Sequence, residues 1–171
     1  MQPWPVCSVV VILLAASMAI EPVHGSNPTL PKENRRVKEL FASMRSEKYS
    51  GIEFPKLDWS DITALLDHAD ETNQLRSFPR DAASSQYEPH CSEGMVALWL
   101  IEGIRRGDRY PSGNALCFNA AKAGNDWGKA SEANHKQVAK AYRAWWEKAR
   151  SLPSKEAKKL DPLQGADLAW H

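Results

Sequence analysis

The chain has 171 residues, with 22 Lys or Arg against 21 Asp or Glu, and 43% of its residues are hydrophobic. These values exclude bulk disorder and collagen-like sequence, and the near-zero charge argues against a protein built mainly to hold nucleic acid. The length suits one domain with a sizeable core.

The first distinct signal is N-terminal. Val9 to Ile20 is uncharged and almost wholly apolar, and with Val6 to Ser8 this mainly apolar stretch reaches about fifteen residues, short of the roughly twenty a membrane-spanning helix needs. A cleaved secretory signal peptide over residues 1–25 is therefore expected, although no Lys or Arg precedes the apolar run. Val23-His24-Gly25 places small or modest residues before a mature start at Ser26, with Ser17-Met18-Ala19 as the second site. Cys7 lies ahead of the apolar core, so it is no lipid-attachment cysteine. The expected mature product is an exported domain, residues 26–171, periplasmic or extracellular, without a transmembrane span.

That domain reads as all-α, with four main helices joined by long loops. Proline in Thr29-Leu30-Pro31 suits a helix start, and Val37, Leu40, Phe41 and Met44 recur at helical spacing to about Lys48. Tyr49 to Lys56 is a connection. Asp58 is the N-cap of a second helix, Asp61 adds negative charge to its first turn, and Leu57 and Ile62 form a hydrophobic staple. Ile62, Leu65, Leu66 and Ala69 make its apolar stripe, opposite the acidic Asp67, Asp70 and Glu71.

Thr72 to Pro89 reads as a long loop. A third helix runs from Cys91 or Ser92 to Arg106, stopped by Gly107. Met95 to Ile101 is seven apolar residues in succession, which places this helix at the centre of the fold. Gly94 and Gly103 each cost a helix about 1 kcal/mol relative to alanine, so close approach by another backbone is expected at both. Asp108 to Asp126 is a second long loop, with room for one helical turn carrying Cys117. The last long helix spans Lys129 to Arg150, with Val138, Tyr142, Trp145, Trp146 and Ala149 as its stripe, and Pro153 ends it. Residues 161–171 read as a tail that folds back. No strand pair and no internal repeat is evident.

Asp58-Trp59, the run Ala97-Leu98-Trp99-Leu100-Ile101-Glu102-Gly103, Trp145-Trp146 and Asp161-Pro162-Leu163 through Trp170 are similar to a family of small exported bacterial proteins of unknown function. The helices of that family resemble HEAT-type antiparallel pairs. The resemblance covers about residues 57–171 and implies an exported helical domain in HEAT-like or bundle packing. Its motifs are packing motifs, and it brings no catalytic residues.

The candidate chemistry is sparse. Cys91 and Cys117 form an even pair in an exported chain, most simply a disulfide closing about 27 residues and contributing roughly 3–4 kcal/mol. Cys91 beside His90 at a helix start also fits a reactive thiol, but no zinc-ligand or redox spacing accompanies it. Glu102 lies within the most apolar helix. It is either a structural ion-pair partner of Arg105, Arg106 or a neighbouring helix, or a general acid working with His90 or Asp58.

Indoles stack on sugar rings, so Trp127, Trp145 and Trp146 are candidate binding residues beside their commoner role as core. Trp145 and Trp146 cannot both face one way, and one is expected near the surface or covered by the tail. The charges are uneven: residues 53–71 hold six acids and one lysine, whereas 129–159 hold nine basic residues and three glutamates. Lys140 and Arg143 on the basic side join the candidate binding set. No metal site and no cofactor is expected, and the serine-hydrolase elbow, the zinc-protease motif, the phosphate loop and the EF-hand are all lacking. The reading is an exported non-enzymatic binding or scaffolding module for a protein or glycan, not nucleic acid. The alternative is an envelope polysaccharide-processing hydrolase using a carboxylate acid/base.

Overall fold

A computed structural model describes residues 32–50, 54–79, 91–107, 111–112, 115, 117–119 and 132–170. The expected signal peptide, His90 and Trp127 lie outside the described residues.

The fold is mostly helical. Its elements in chain order are α1 (Lys32–Arg45), a 3-10 turn (Trp59–Asp61), α2 (Ile62–Asp67), β1 (Gln74–Leu75), β2 (Cys91–Ser92), α3 (Glu93–Arg106), β3 (Cys117–Asn119), α4 (Glu132–Ala149), α5 (Ser154–Ala157) and β4 (Leu168–Trp170). The expected absence of strand pairing is corrected by two short antiparallel ladders. In the first, Leu75 pairs with Cys91 and Gln74 with Ser92. In the second, Cys117, Phe118 and Asn119 pair with Trp170, Ala169 and Leu168. Ladders of two or three residues leave no periodic trace in a sequence, because the pleat needs more residues to show its alternation. Cys117 accordingly stands on a strand, not on a helical turn.

α3 occupies the centre, as its composition demands. Every residue from Glu93 to Ile104 is buried, and both α2 and α4 pack against it. Its start is set by Ser92, whose hydroxyl accepts from the Met95 N–H, and its end by Gly107 in the left-handed conformation at φ 71°. A β-carbon at Gly94 would lie 2.6 Å from the Ala69 carbonyl oxygen and 2.5 Å from His135 Nε2, and one at Gly103 would lie 2.5 Å from Phe54 Cζ. The backbone approach expected at Gly94 is therefore real, whereas at Gly103 the close neighbour is an aromatic ring.

The other helices add their predicted stripes. Val37, Phe41 and Met44 of α1, Ile62, Leu65 and Leu66 of α2 with Ala69 just beyond it, and Val138, Tyr142, Trp145, Trp146 and Ala149 of α4 are all buried. The start of the second helical segment is a capping box. The Asp58 carboxylate accepts from Ser60 N at 2.9 Å, and Asp61 Oδ2 accepts from Asp58 N at 2.9 Å. Within the described residues no helix is long and apolar enough to cross a membrane.

Candidate functional site

Among the described residues three carboxylates are buried, and each is met by an arginine. Asp61 receives both Nε and Nη2 of Arg36, at 3.2 and 2.7 Å, which ties α1 to the 3-10 turn. Arg36 also bonds Asp58 at 3.1 Å. The Asp58 carboxyl is held below the usual carboxylate range, chiefly by the Ser60 hydroxyl and amide and then by Arg36.

Glu93, at the first turn of α3, is 0% exposed. Arg45 Nε donates to its Oε2 at 2.7 Å, and His68 Nδ1 donates to Oε1 at 2.6 Å. The His68 ring stacks on Phe41 with centroids 4.3 Å apart, so α1, α2 and α3 meet at one charged point. Burial alone would raise the Glu93 carboxyl, but the bonds from Arg45 and His68 outweigh it and hold the group below its ordinary value. A helix N-terminus adds favourable dipole to the same carboxylate.

Glu102, the sequence candidate for a general acid, is 4% exposed. Arg105 grips it with two parallel bonds of 2.8 and 2.7 Å, and the Tyr142 hydroxyl donates to Oε2 at 2.6 Å. Arg105 then reaches outward to the carbonyls of Lys158 and Leu160 at 3.0 and 3.3 Å. Burial and the neighbouring Glu102 carboxylate push the Tyr142 hydroxyl well above its ordinary value, so it stays protonated as a donor. A carboxylate gripped by a guanidinium fork and a phenol is a brace between helices, with three of its roughly four acceptor sites taken.

Of the acid/base partners considered from sequence for Glu102, His90 lies outside the described residues, and Asp58 sits in a separate hydrogen-bond network. Glu102 belongs to the α3–α4 brace, whereas Asp58 belongs to the Arg36 network between α1 and the 3-10 turn. No group of three or more His, Cys, Asp or Glu side chains converges as a metal site among the described residues.

Trp145 and Trp146 are only 5% and 8% exposed, so neither stands at the surface. Trp59 roofs both, with centroids 5.7 and 5.5 Å away. Tyr142 lies 6.0 Å from Trp145 and 6.2 Å from Trp170, so the rings run as a seam from the 3-10 turn to the C-terminal strand. Trp146 Nε1 donates to the Thr63 hydroxyl at 3.1 Å, whereas the buried Nε1 of Trp145 has no hydrogen-bond partner. Trp145 and Trp146 belong to the core, with Trp59 and Trp170 partly buried against it.

Of the basic candidates, Lys140 is exposed on α4. Arg143 is committed to structure: it donates to the Leu66 carbonyl at 2.7 Å and pairs with Asp70, joining the basic helix to the acidic stretch. The expected Cys91–Cys117 disulfide is not formed. Both residues are buried thiols, and Cys91 Sγ donates to the Ala115 carbonyl at 3.1 Å.

Sequence reasoning missed Glu93 and His135. Glu93 reads as an ordinary first-turn acid, and only the arrival of Arg45 and His68 from distant positions marks it. His135, buried at 8% exposure, donates from Nε2 to the Ala69 carbonyl at 2.7 Å over Gly94.

No curated protein and no solved structure matches the chain. One family profile matches residues 31–171, spanning every element from α1 to β4, and on that match the chain belongs to the family described as a domain of unknown function, DUF4943.

Proposed function

We propose that the chain is an exported, non-enzymatic binding or scaffolding module acting in a bacterial envelope or outside the cell. The observation that carries this reading is the state of the buried carboxylates. Asp61, Glu93 and Glu102 are each bonded to arginine, so none is poised to exchange a proton with a substrate. General acid–base catalysis requires such a group within hydrogen-bond reach of the reacting atom. The hydrolase reading loses its central residue with Glu102 used as a brace. What the molecule offers outward is charge, through Lys140 and the basic residues that follow it.

The test is affinity capture from an envelope extract, with the tagged chain as bait, at low and moderate salt. Retention of a specific partner that weakens with salt is the expected result. Nothing retained above a mock bait counts against the module. Hydrolysis of an envelope polysaccharide that disappears in Glu102→Gln, with that variant shown to be folded at the assay temperature by its urea curve, would replace it with the enzyme. Export is tested separately by N-terminal sequencing of the secreted product, with Ser26 expected as the first residue.

A further inference from the structure

The end of α4, the turn after it and α5 form one corner, residues 148–160. Backbone bonds run continuously through it: Leu152 N to Ala149 O, Ala157 N to Pro153 O, Lys158 N to Ser154 O and Leu160 N to Ala157 O. Its inner side is fixed by Ala149 and Ala157, both fully buried, and by Arg105, which holds the carbonyls of Lys158 and Leu160. Its outer side carries Lys148, Arg150, Lys155, Lys158 and Lys159, all exposed, against the single acid Glu156, a net charge of +4. Arg150 pairs with Glu147 at 2.6 Å and Lys159 with Glu156 at 2.9 Å, both as exposed pairs that water screens. Lys148, Lys155 and Lys158 have no ion pair among the described residues. Leu152 and Leu160, the two exposed large hydrophobic side chains among the described residues, stand in this same corner at 40% and 37% exposure.

We propose that this corner is a peripheral docking surface for anionic phospholipid headgroups, the leucines entering the interface and the lysines meeting the phosphates. The inference rests on the binding-module reading and names its ligand class. Charge complementarity is the first argument, since a basic cluster beside exposed apolar side chains fits the boundary between headgroup and acyl chain. Composition is the second. Protein interfaces are enriched in aromatic residues and arginine and depleted in lysine, whereas four of the five cations here are lysines and no aromatic residue stands among positions 148–160. The buried Glu102–Arg105 pair thereby gains a purpose, because it fixes the backbone on which the outward lysines stand.

The experiment is co-sedimentation of the full chain with vesicles of phosphatidylcholine alone or containing about 30% phosphatidylglycerol. Every variant keeps residues 1–25, so any pull from the apolar N-terminal stretch is common to all. The expected result is about a hundredfold preference for the anionic vesicles at low salt, fading as salt shortens the reach of the charges. Lys148→Glu with Lys155→Glu and Lys158→Glu should lower that binding about a hundredfold, and the same three positions changed to Gln should lower it less. Leu152→Ser with Leu160→Ser should weaken binding several-fold while keeping its salt dependence. Lys38→Glu with Lys48→Glu and Lys56→Glu, equally exposed but outside the corner, should leave most of it.

No preference for anionic vesicles overturns the proposal, as does equal loss in the two triple lysine-to-glutamate variants. A urea midpoint matching wild type shows that a variant is folded, and the glutamine set serves if the glutamate set is not. If lipid preference is absent while capture from envelope extract persists and depends on the three lysines, the corner takes an acidic protein. The lipid proposal then falls and the binding module stands. If capture is absent too, both fall.

Discussion

Tyr142 on α4 and Glu102 on α3 share a buried hydrogen bond of 2.6 Å, and the same hydroxyl accepts from Trp170 Nε1 at 2.8 Å. One phenol thus joins two central helices to the C-terminal strand. Its removal leaves an indole N–H without its acceptor and a carboxylate without one of its donors, each a desolvation cost with no compensating bond. Tyr142→Phe should destabilise the fold by about 1–3 kcal/mol, and Glu102→Gln, which unpairs Arg105, by about 3–5 kcal/mol. Urea denaturation checks both. A neutral effect of Tyr142→Phe would mean that the C-terminal strand is held by its ladder alone.

The Glu93 cluster predicts acid sensitivity. Its carboxyl lies below the ordinary value of 4.5 in the folded chain, so the unfolded chain takes up the proton first as pH falls. Stability from this group is therefore complete above about pH 4.5 and is lost as pH drops through the folded value. Asp58 shifts in the same direction, with a smaller effect because it is exposed. Melting temperature should hold steady from pH 7 to 5 and fall below that. Glu93→Gln should lower the plateau by about 2–4 kcal/mol and flatten the acid fall. An unchanged acid slope in Glu93→Gln would assign the effect to other carboxylates.

The two glycines of α3 should behave differently. At Gly94 the added methyl meets the Ala69 carbonyl, part of the backbone, and the His135 ring bonded to it. Gly94→Ala should cost about 1–3 kcal/mol despite the helix propensity it gains. At Gly103 the obstacle is the tip of the Phe54 ring, which can swing aside. Gly103→Ala should lie within about 1 kcal/mol of wild type, because the propensity gain of about 1 kcal/mol offsets the shift. Thermal melts of the two variants side by side test this ranking.

The cysteines make a direct chemical prediction. As buried thiols, Cys91 and Cys117 should resist alkylation in the native chain and take one label each once unfolded without reductant. Mass spectrometry reads the labels. If neither residue labels until reductant is added, the two cysteines are joined in solution and the buried-thiol assignment falls.

Much of the fold was legible in the residues. Seven consecutive apolar positions can only be a buried segment, and α3 is central. Asp58 and Asp61 announced their capping box, because a cap is a bond between residues three apart. The stripes of α1, α2 and α4 gave their buried faces for the same reason: 3.6-residue periodicity is a local property. Trp145 and Trp146 were legible only in part, since adjacent helical residues point about 100° apart and the sequence left one of them either near the surface or under the tail. Both are covered because Trp59, more than eighty positions earlier, lies across the pair.

The candidate site followed the same division. The amino-acid order by itself determined which four main segments are helical, which of their faces are apolar, where the Asp58 cap and the Gly107 stop fall, and that the last long helix and its sequel are basic, but not that the sequel holds the short helix α5. Only the tertiary structure decided that Glu102 is a brace, that Glu93 gathers Arg45 and His68, and that the C-terminal residues form a ladder with Cys117–Asn119. It also set Leu152 and Leu160 outward among the lysines. Caps and stripes rest on neighbours within a turn or two. A buried charge or a covered indole depends on partners dozens of residues away, and their arrival is a property of the packed chain.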